Sequence, residues 1–331
     1  MSAKFPLEIK TFTKEEQMEH EKVYKTSEFF DDFSRVGPKK YTVMRYEKDA
    51  ANIYNMKLCS SNIIVNSFPR SGTTWTQELV WLIANDFDFA TAKNVPLHVR
   101  FPHLEFAPEI LNELSNSPKL SSQFVMTHIP LSLLPPTLLD TCKVVYVARD
   151  PRDVALSNYH LERELCRLQE NVKFEEYFEV FIANLRVYCP YFEHVKEAWA
   201  LRYHPNMLFI FYEHLSRDLK SVACRICDFF GKKYNEQQLD QLCDHLRFVN
   251  FKKNPAVTRQ QQYNQQQEMC YFPMLYEYAQ ESHGRDWEWG EWNEWDQAVK
   301  EEAEDTTSMR HEEGEGVVPK QKNEMEEDQR K

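Results

Sequence analysis

With 331 residues, 42% of them hydrophobic and 14% aromatic, the chain is long enough for one large core or at most two domains. Its 40 Lys and Arg stand against 52 Asp and Glu, a net charge of -12, which argues against a general binder of nucleic acid or of an anionic membrane. Any polyanionic ligand must be held by local basic groups.

The first residues, MSAKFPLEIKTFTKEEQ, contain no apolar stretch of the leader type, and no apolar run in the chain approaches the roughly 18 residues of a membrane span. The eight cysteines (59, 142, 166, 189, 224, 227, 243, 270) are scattered, without the dense spacing of a disulfide scaffold. A soluble protein of the reducing cytoplasm is expected. Residues 1–39 read as an N-terminal extension. From 40 to 298, short β-rich runs alternate with helical segments. IIVNSF (63–68), FVMTH (124–128), VVYVA (144–148) and MLFIFY (207–212) are nearly continuous apolar runs, as parallel strands buried on both faces require. The expected fold class is α/β: a single domain with a central, mostly parallel sheet flanked by helices and ligands at the carboxyl ends of the strands.

Directly after the first of these runs comes SFPRSGTTW, Ser67 to Trp75. A strand, a turn carrying Arg70, Ser71 and Gly72, and a helix opening at Thr73 or Thr74 aim backbone amides and the helix dipole at an anion. Glycine occurs only seven times in the chain, and at Gly72 the missing Cβ lets the backbone curl closely. The loop lacks the first glycine and the final lysine of the nucleoside-triphosphate motif GxxxxGK. A structural turn with a satisfied N-cap has a similar appearance, so the loop alone is not specific. A second element joins it. Arg149 directly follows VVYVA, and Ser157 comes eight residues later on an expected helix with Pro151 in its first turn. A guanidinium at a strand tip and a hydroxyl on the next helix suit a second phosphate. Cys224 and Cys227 have CxxC spacing, but RICDFF reads as an amphipathic helix and no second pair lies near, so no metal is assigned.

At these residues the chain resembles the cytosolic sulfotransferase family. SFPRSGTTW is similar to that family's 5′-phosphosulfate loop, usually TYPKSGTTW, and VVYVARDPRDVALSNYH to its 3′-phosphate segment. RFPHLEFAP (100–108) resembles its substrate-gating segment, THIPLSLLP (127–135) the segment of its catalytic histidine, FYEHL (211–215) its FYEDL strand end, and RFVNFKKNP (247–255) the helix whose aromatic residue stacks on adenine. The resemblance implies a P-loop NTPase-like sulfotransferase fold. It implies transfer of a sulfuryl group from 3′-phosphoadenosine-5′-phosphosulfate (PAPS, leaving PAP) to a hydroxyl or amine of a small hydrophobic acceptor, a phenol, alcohol or amine, without a metal. Carried over by position, Arg70, Ser71, Gly72, Thr73, Thr74 and Trp75 would cradle the 5′-phosphosulfate. Arg149 and Ser157 would take the 3′-phosphate, and Trp75, Tyr212 and Phe248 the adenine. His128 would be the general base, with Arg70 as the catalytic cation. The physical demand agrees: group transfer of this kind rests on positioning and charge stabilisation, with a base that takes the acceptor's proton. His103 and Phe106 are assigned to the acceptor mouth, with Glu105 anchoring the loop between them.

Four departures stand at functional positions. Arg70 replaces the family's usual lysine, and Met126 replaces the second lysine of KTH. QESHGRDW (280–287) replaces RKGxxGDW, leaving Arg285 to serve the 3′-phosphate. WEWGEWNEW stands where the dimer motif KxxxTVxxxE is usual, so a monomer and a homodimer are both admitted. Trp289, Trp292 and Trp295 are read as one helical face on the core. Residues 299–331 are read as an acidic disordered tail: from Glu301 on, 11 acidic and 5 basic residues give a net charge of -6. Two further readings stand beside transfer. One is a catalytically weakened binding protein that keeps the nucleotide or acceptor site. The other is a P-loop kinase or NTPase, which needs the Walker lysine that is missing here. Some insect relatives in the family dehydrate an alcohol through a sulfated intermediate, and the sequence leaves sulfation and dehydration both open.

Overall fold

The computed structural model describes residues 5–25, 33–44, 46–106, 124–165 and 167–257, all within one unit, Met1–Gly284. The chain opens on a small antiparallel sheet of β1 (Ile9–Thr11), β2 (Phe33–Val36) and β3 (Tyr41–Met44). The boundary expected at residue 39 falls inside the β2–β3 hairpin. This sheet is tied to the body of the protein: Arg35 donates to the Asn184 carbonyl at 2.6 Å, and Thr42 and the 188–189 backbone exchange hydrogen bonds of 2.6 and 2.7 Å.

The central sheet consists of β4 (Ile63–Asn66), β5 (Phe124–Thr127), β6 (Lys143–Ala148) and β7 (Met207–Phe211) in the order β5-β4-β6-β7, every pair parallel. The four apolar runs read from the sequence are these four strands, and β4 and β5 are buried at every position. Helices cover the sheet because parallel strands need crossovers. The helix Thr73–Ala84 buries ten of its twelve residues, so it lies inside the domain rather than on it. Pro151 opens the helix Pro151–Glu164, where Asp150 caps the Arg152 amide and a missing proline N–H costs nothing.

Chain order places β5 on one side of β4 and β6 on the other. The connections leaving β4 and β6 therefore part, and ligands of open α/β sheets bind at that switch point. Both sequence-predicted phosphate elements emerge there.

One buried ion pair links the central helix to the gating segment. Arg100 donates to Glu78 Oε2 at 2.7 Å, with both side chains at most 3% exposed. Its remaining guanidinium contacts are the Val95 and Ala92 carbonyls and the face of Trp81, 4.4 Å away. Removing Arg100 takes the guanidinium from the buried Glu78 carboxylate and leaves the carboxylate beside His245 Nε2, 3.3 Å from Oε1, a loss that costs about 3–5 kcal/mol. Arg100→Ala is therefore expected to lower the free energy of unfolding in urea by about that amount.

Candidate active site

The loop after β4 is held in a left-handed turn. Arg70 has φ 75° and Gly72 φ 93°. A Cβ on Gly72 would lie 2.5 Å from Tyr212 Cδ2, so glycine is required both by the backbone and by the close tyrosine. As N-cap, Gly72 brings no side-chain acceptor to the helix opening at Thr73, which leaves the first amides for an anion. Ser67 Oγ and Thr73 Oγ1 close the loop base at 2.6 Å.

Three groups assigned to phosphate from the sequence meet here. Arg70 Nε donates to Ser157 Oγ at 2.8 Å, and Arg149 donates to the Arg70 carbonyl at 3.2 Å. Arg149 packs its guanidinium over the Tyr212 ring at 4.4 Å and pairs with Asp153 at 3.2 Å. Arg149 Nε and Ser71 Oγ are buried with no hydrogen-bond partner among the described residues, an arrangement that suits a bound anion.

The aromatic set is partly assembled. Trp75 and Tyr212 meet edge to face at 6.0 Å, and Trp75 Nε1 donates to the Leu246 carbonyl at 3.0 Å. Phe248 opens the short helix Phe248–Phe251, half-buried, with Lys252 Nζ 5.9 Å from its ring. Phe251 of the same helix reaches Trp75 at 6.4 Å.

His128 stands just beyond β5 and is buried. Its Nδ1 lies 2.7 Å from the Ser67 carbonyl. A carbonyl can only accept, so Nδ1 carries the proton and Nε2 keeps the lone pair. Burial, reinforced by the neighbouring His103, pushes the imidazole down to about 3, against the opposing charge of Glu105. The ring is neutral at physiological pH, with no proton on Nε2.

Further side chains surround it. The gating segment runs beside β5, with Met126 N–H donating to the Pro102 carbonyl at 2.8 Å. This brings His103 to a ring distance of 5.2 Å from His128, edge to face. Glu105 accepts the His128 amide at 2.6 Å and stands 3.0 Å from His103 Nε2. Burial resists its ionisation, but His103 and the amide outweigh that and hold it down to about 2. Tyr188 lies 5.6 Å from His128 on another side. Met126 packs into the apolar core. The backbone of Phe106 lies in the turn Leu104–Phe106. The Phe106 side chain, Arg285, the segment 280–287, the 287–295 tryptophans and the acidic tail lie outside the described residues.

A parallel sheet with a glycine turn, two arginines and a neutral buried histidine at its switch point belongs to the P-loop-like α/β class. The family model of the sulfotransferase domain matches residues 60–304, and the chain belongs to that family. It is 34% identical over 254 residues to luciferin sulfotransferase of Photinus pyralis, covering 70% of this chain and 68% of that one. It is 32% identical over 240 residues to sulfotransferase 1A1 of Bos taurus, covering 70% and 80%. Among solved structures, retinol dehydratase in a complex with retinol and PAP is 37% identical, covers 95% of this chain and 99% of that one, and superposes with a TM-score of 0.72. Retinol dehydratase with androsterone and inactive cofactor PAP is 42% identical over 76% and 83% of the two chains, with a TM-score of 0.70.

Glu213, beside Arg149, gives the site a pH signature. Oε1 accepts the Asp150 amide at 2.7 Å, and burial raises the carboxyl from 4.5 to about 7. Between those values the folded chain binds a proton that the unfolded chain does not, so stability falls as pH rises through that window. Glu213→Gln keeps the acceptor and removes the titration. Its stability advantage over the parent, from urea unfolding, is expected to grow by roughly 2–3 kcal/mol between pH 5 and pH 8.

Proposed function

We propose that this chain transfers the sulfuryl group of PAPS to the hydroxyl of a small, largely apolar acceptor, with His128 as general base. The observation that carries the reading is the neutral His128 ring. With Nδ1 committed to Ser67, its basic Nε2 is left for an acceptor hydroxyl beside a loop that gathers Arg70, Arg149 and Ser157. Membership of the sulfotransferase family supports the reading, as do solved relatives that hold PAP together with retinol or androsterone.

Each residue has a task in that reaction. The amides and hydroxyls of Ser71 to Thr74, with Arg70, hold the 5′-phosphosulfate. Arg149 and Ser157 hold the 3′-phosphate, joined by Arg285. Trp75, Tyr212 and Phe248 take the adenine. His103 and Phe106 border the acceptor. His128 removes the hydroxyl proton while the acceptor oxygen bonds to sulfur and the bond from sulfur to the bridging phosphate oxygen breaks. With Met126 where a second lysine is usual, the charge developing on the leaving phosphate falls to Arg70 and the loop amides.

Calorimetry with PAP is expected to give saturable binding, and PAPS with a panel of phenols and alcohols is expected to give sulfate esters. His128→Ala should keep PAP affinity within about twofold while transfer drops at least about 100-fold. With PAPS saturating, so that the titration of Glu213 near the nucleotide does not limit binding, transfer in the parent should stay level from pH 7.5 down to pH 5.5, because His128 is neutral throughout. PAP binding with no transfer to any acceptor would favour a binding protein instead.

The likeness to retinol dehydratase favours a second outcome for allylic alcohols. Sulfation first turns the hydroxyl into a leaving group; the carbon–oxygen bond then breaks, sulfate departs, and a base takes a proton from carbon to form the new double bond. With PAPS and retinol, mass spectrometry is expected to show the dehydrated hydrocarbon. Androsterone, which has no allylic hydroxyl, should stop at the sulfate ester. Retinyl sulfate accumulating as the final product would remove the elimination step.

A further inference from the structure

The β4–β5 ladder ends at the pair Asn66 and Thr127, one residue before His128. Beyond that point the polar backbone of the histidine is held by side chains. Its N–H donates to Glu105 Oε1 at 2.6 Å. Its carbonyl lies 2.9 Å from Nε2 of His194, a fully buried residue of the helix Tyr191–Ala200. Because that contact requires a proton on Nε2, Nδ1 of His194 is an acceptor, and the Tyr146 hydroxyl from β6 donates to it at 2.8 Å. The following residue is fixed too, with Asn66 donating to the Ile129 carbonyl at 2.8 Å.

We infer that Glu105 and His194 are positioning residues for the base. One side chain fixes the peptide before the His128 α-carbon and the other fixes the peptide after it, so the two dihedrals that aim the ring are set from opposite sides. The Ser67 carbonyl then fixes the ring itself. Glu105 stands in the gating segment and also faces His103, which ties the wall of the acceptor mouth to the aim of the base. Tyr146 acts one step further out by fixing the His194 tautomer. Proton transfer tolerates little misplacement, and an error near 1 Å costs on the order of 100-fold.

The inference rests on His128 being the base, and two measurements separate the ideas. The first compares variants with retinol or androsterone as acceptor, with kcat expressed per PAP-binding site so that misfolded protein is not counted. His194→Phe and Glu105→Leu are expected to lower kcat about 10- to 100-fold while PAP affinity changes less than about twofold. His194→Gln restores an N–H and Glu105→Gln restores an acceptor, and both should recover most of the loss. Tyr146→Phe, a milder change, should lower kcat a few-fold. Unchanged kcat per site in the Phe and Leu variants, or Gln variants no better than these, would overturn the assignment.

The second measurement needs no turnover. In 15N-histidine-labelled protein, the His128 signal, identified by its loss in His128→Ala, is expected to report one tautomer with the proton on Nδ1. In Tyr146→Phe and His194→Phe it should shift and broaden as the ring loses its fixed aim. A His128 signal identical in parent and variants would sink the positioning role even if the sulfotransferase reading stands. Turnover that survives His128→Ala would instead sink the base assignment.

Discussion

The hydrogen bond from His128 Nδ1 to the Ser67 carbonyl joins the two halves of the site. Ser67 begins the anion loop after β4, and His128 ends the run of β5. The strands are neighbours in the sheet, so the bond makes the loop and the histidine parts of one corner. It also decides the chemistry of the ring: with its proton committed to a carbonyl, the imidazole presents its basic nitrogen. The left-handed turn at Arg70 and Gly72 completes the corner by bringing Arg70 onto Ser157 of the neighbouring helix.

Electrostatics in this corner are arranged by burial. His128, Glu105 and Glu213 are all removed from water, yet they end in different states. Burial keeps His128 neutral, while His103 and a backbone amide keep Glu105 ionised. Glu213 has the weaker support of the Asp150 amide and Arg149, and rises to about 7. A negative group beside an anion site opposes binding. A carboxyl that readily takes up a proton lessens that repulsion near Arg149.

The architecture was legible in the sequence because parallel strands buried on both faces need uninterrupted apolar runs. IIVN, FVMT, VVYVA and MLFIF announced themselves without an alignment. The loop was legible because a scarce glycine sat between a strand and a helix, and Pro151 marked the next helix start. The supports of His128 were not. Glu105, His194 and Tyr146 are 23, 66 and 18 residues from it in sequence, and each lies in a segment that reads as an ordinary gate, helix or strand. Only the fold brings their polar atoms to one peptide. Glu105 was read as an anchor for its own loop, and the group it holds is the amide of His128. A histidine at 0% exposure on the face of an amphipathic helix carries one weak signal, since burying an imidazole needs partners for both nitrogens.

The departures from the family pattern take on different weight in three dimensions. Arg70 keeps a cation in the loop and, through its longer planar head, also reaches Ser157, a bond that a lysine's single ammonium would make with less directional control. Met126 goes the other way. Its side chain lies in the apolar cluster with Phe101 and Phe124, where an ammonium would have to be desolvated. Restoring a lysine there would not by itself restore a second catalytic cation. In the proposed transfer the cationic work therefore falls to Arg70 and Arg149, which meet at the loop through the Arg70 carbonyl and Ser157.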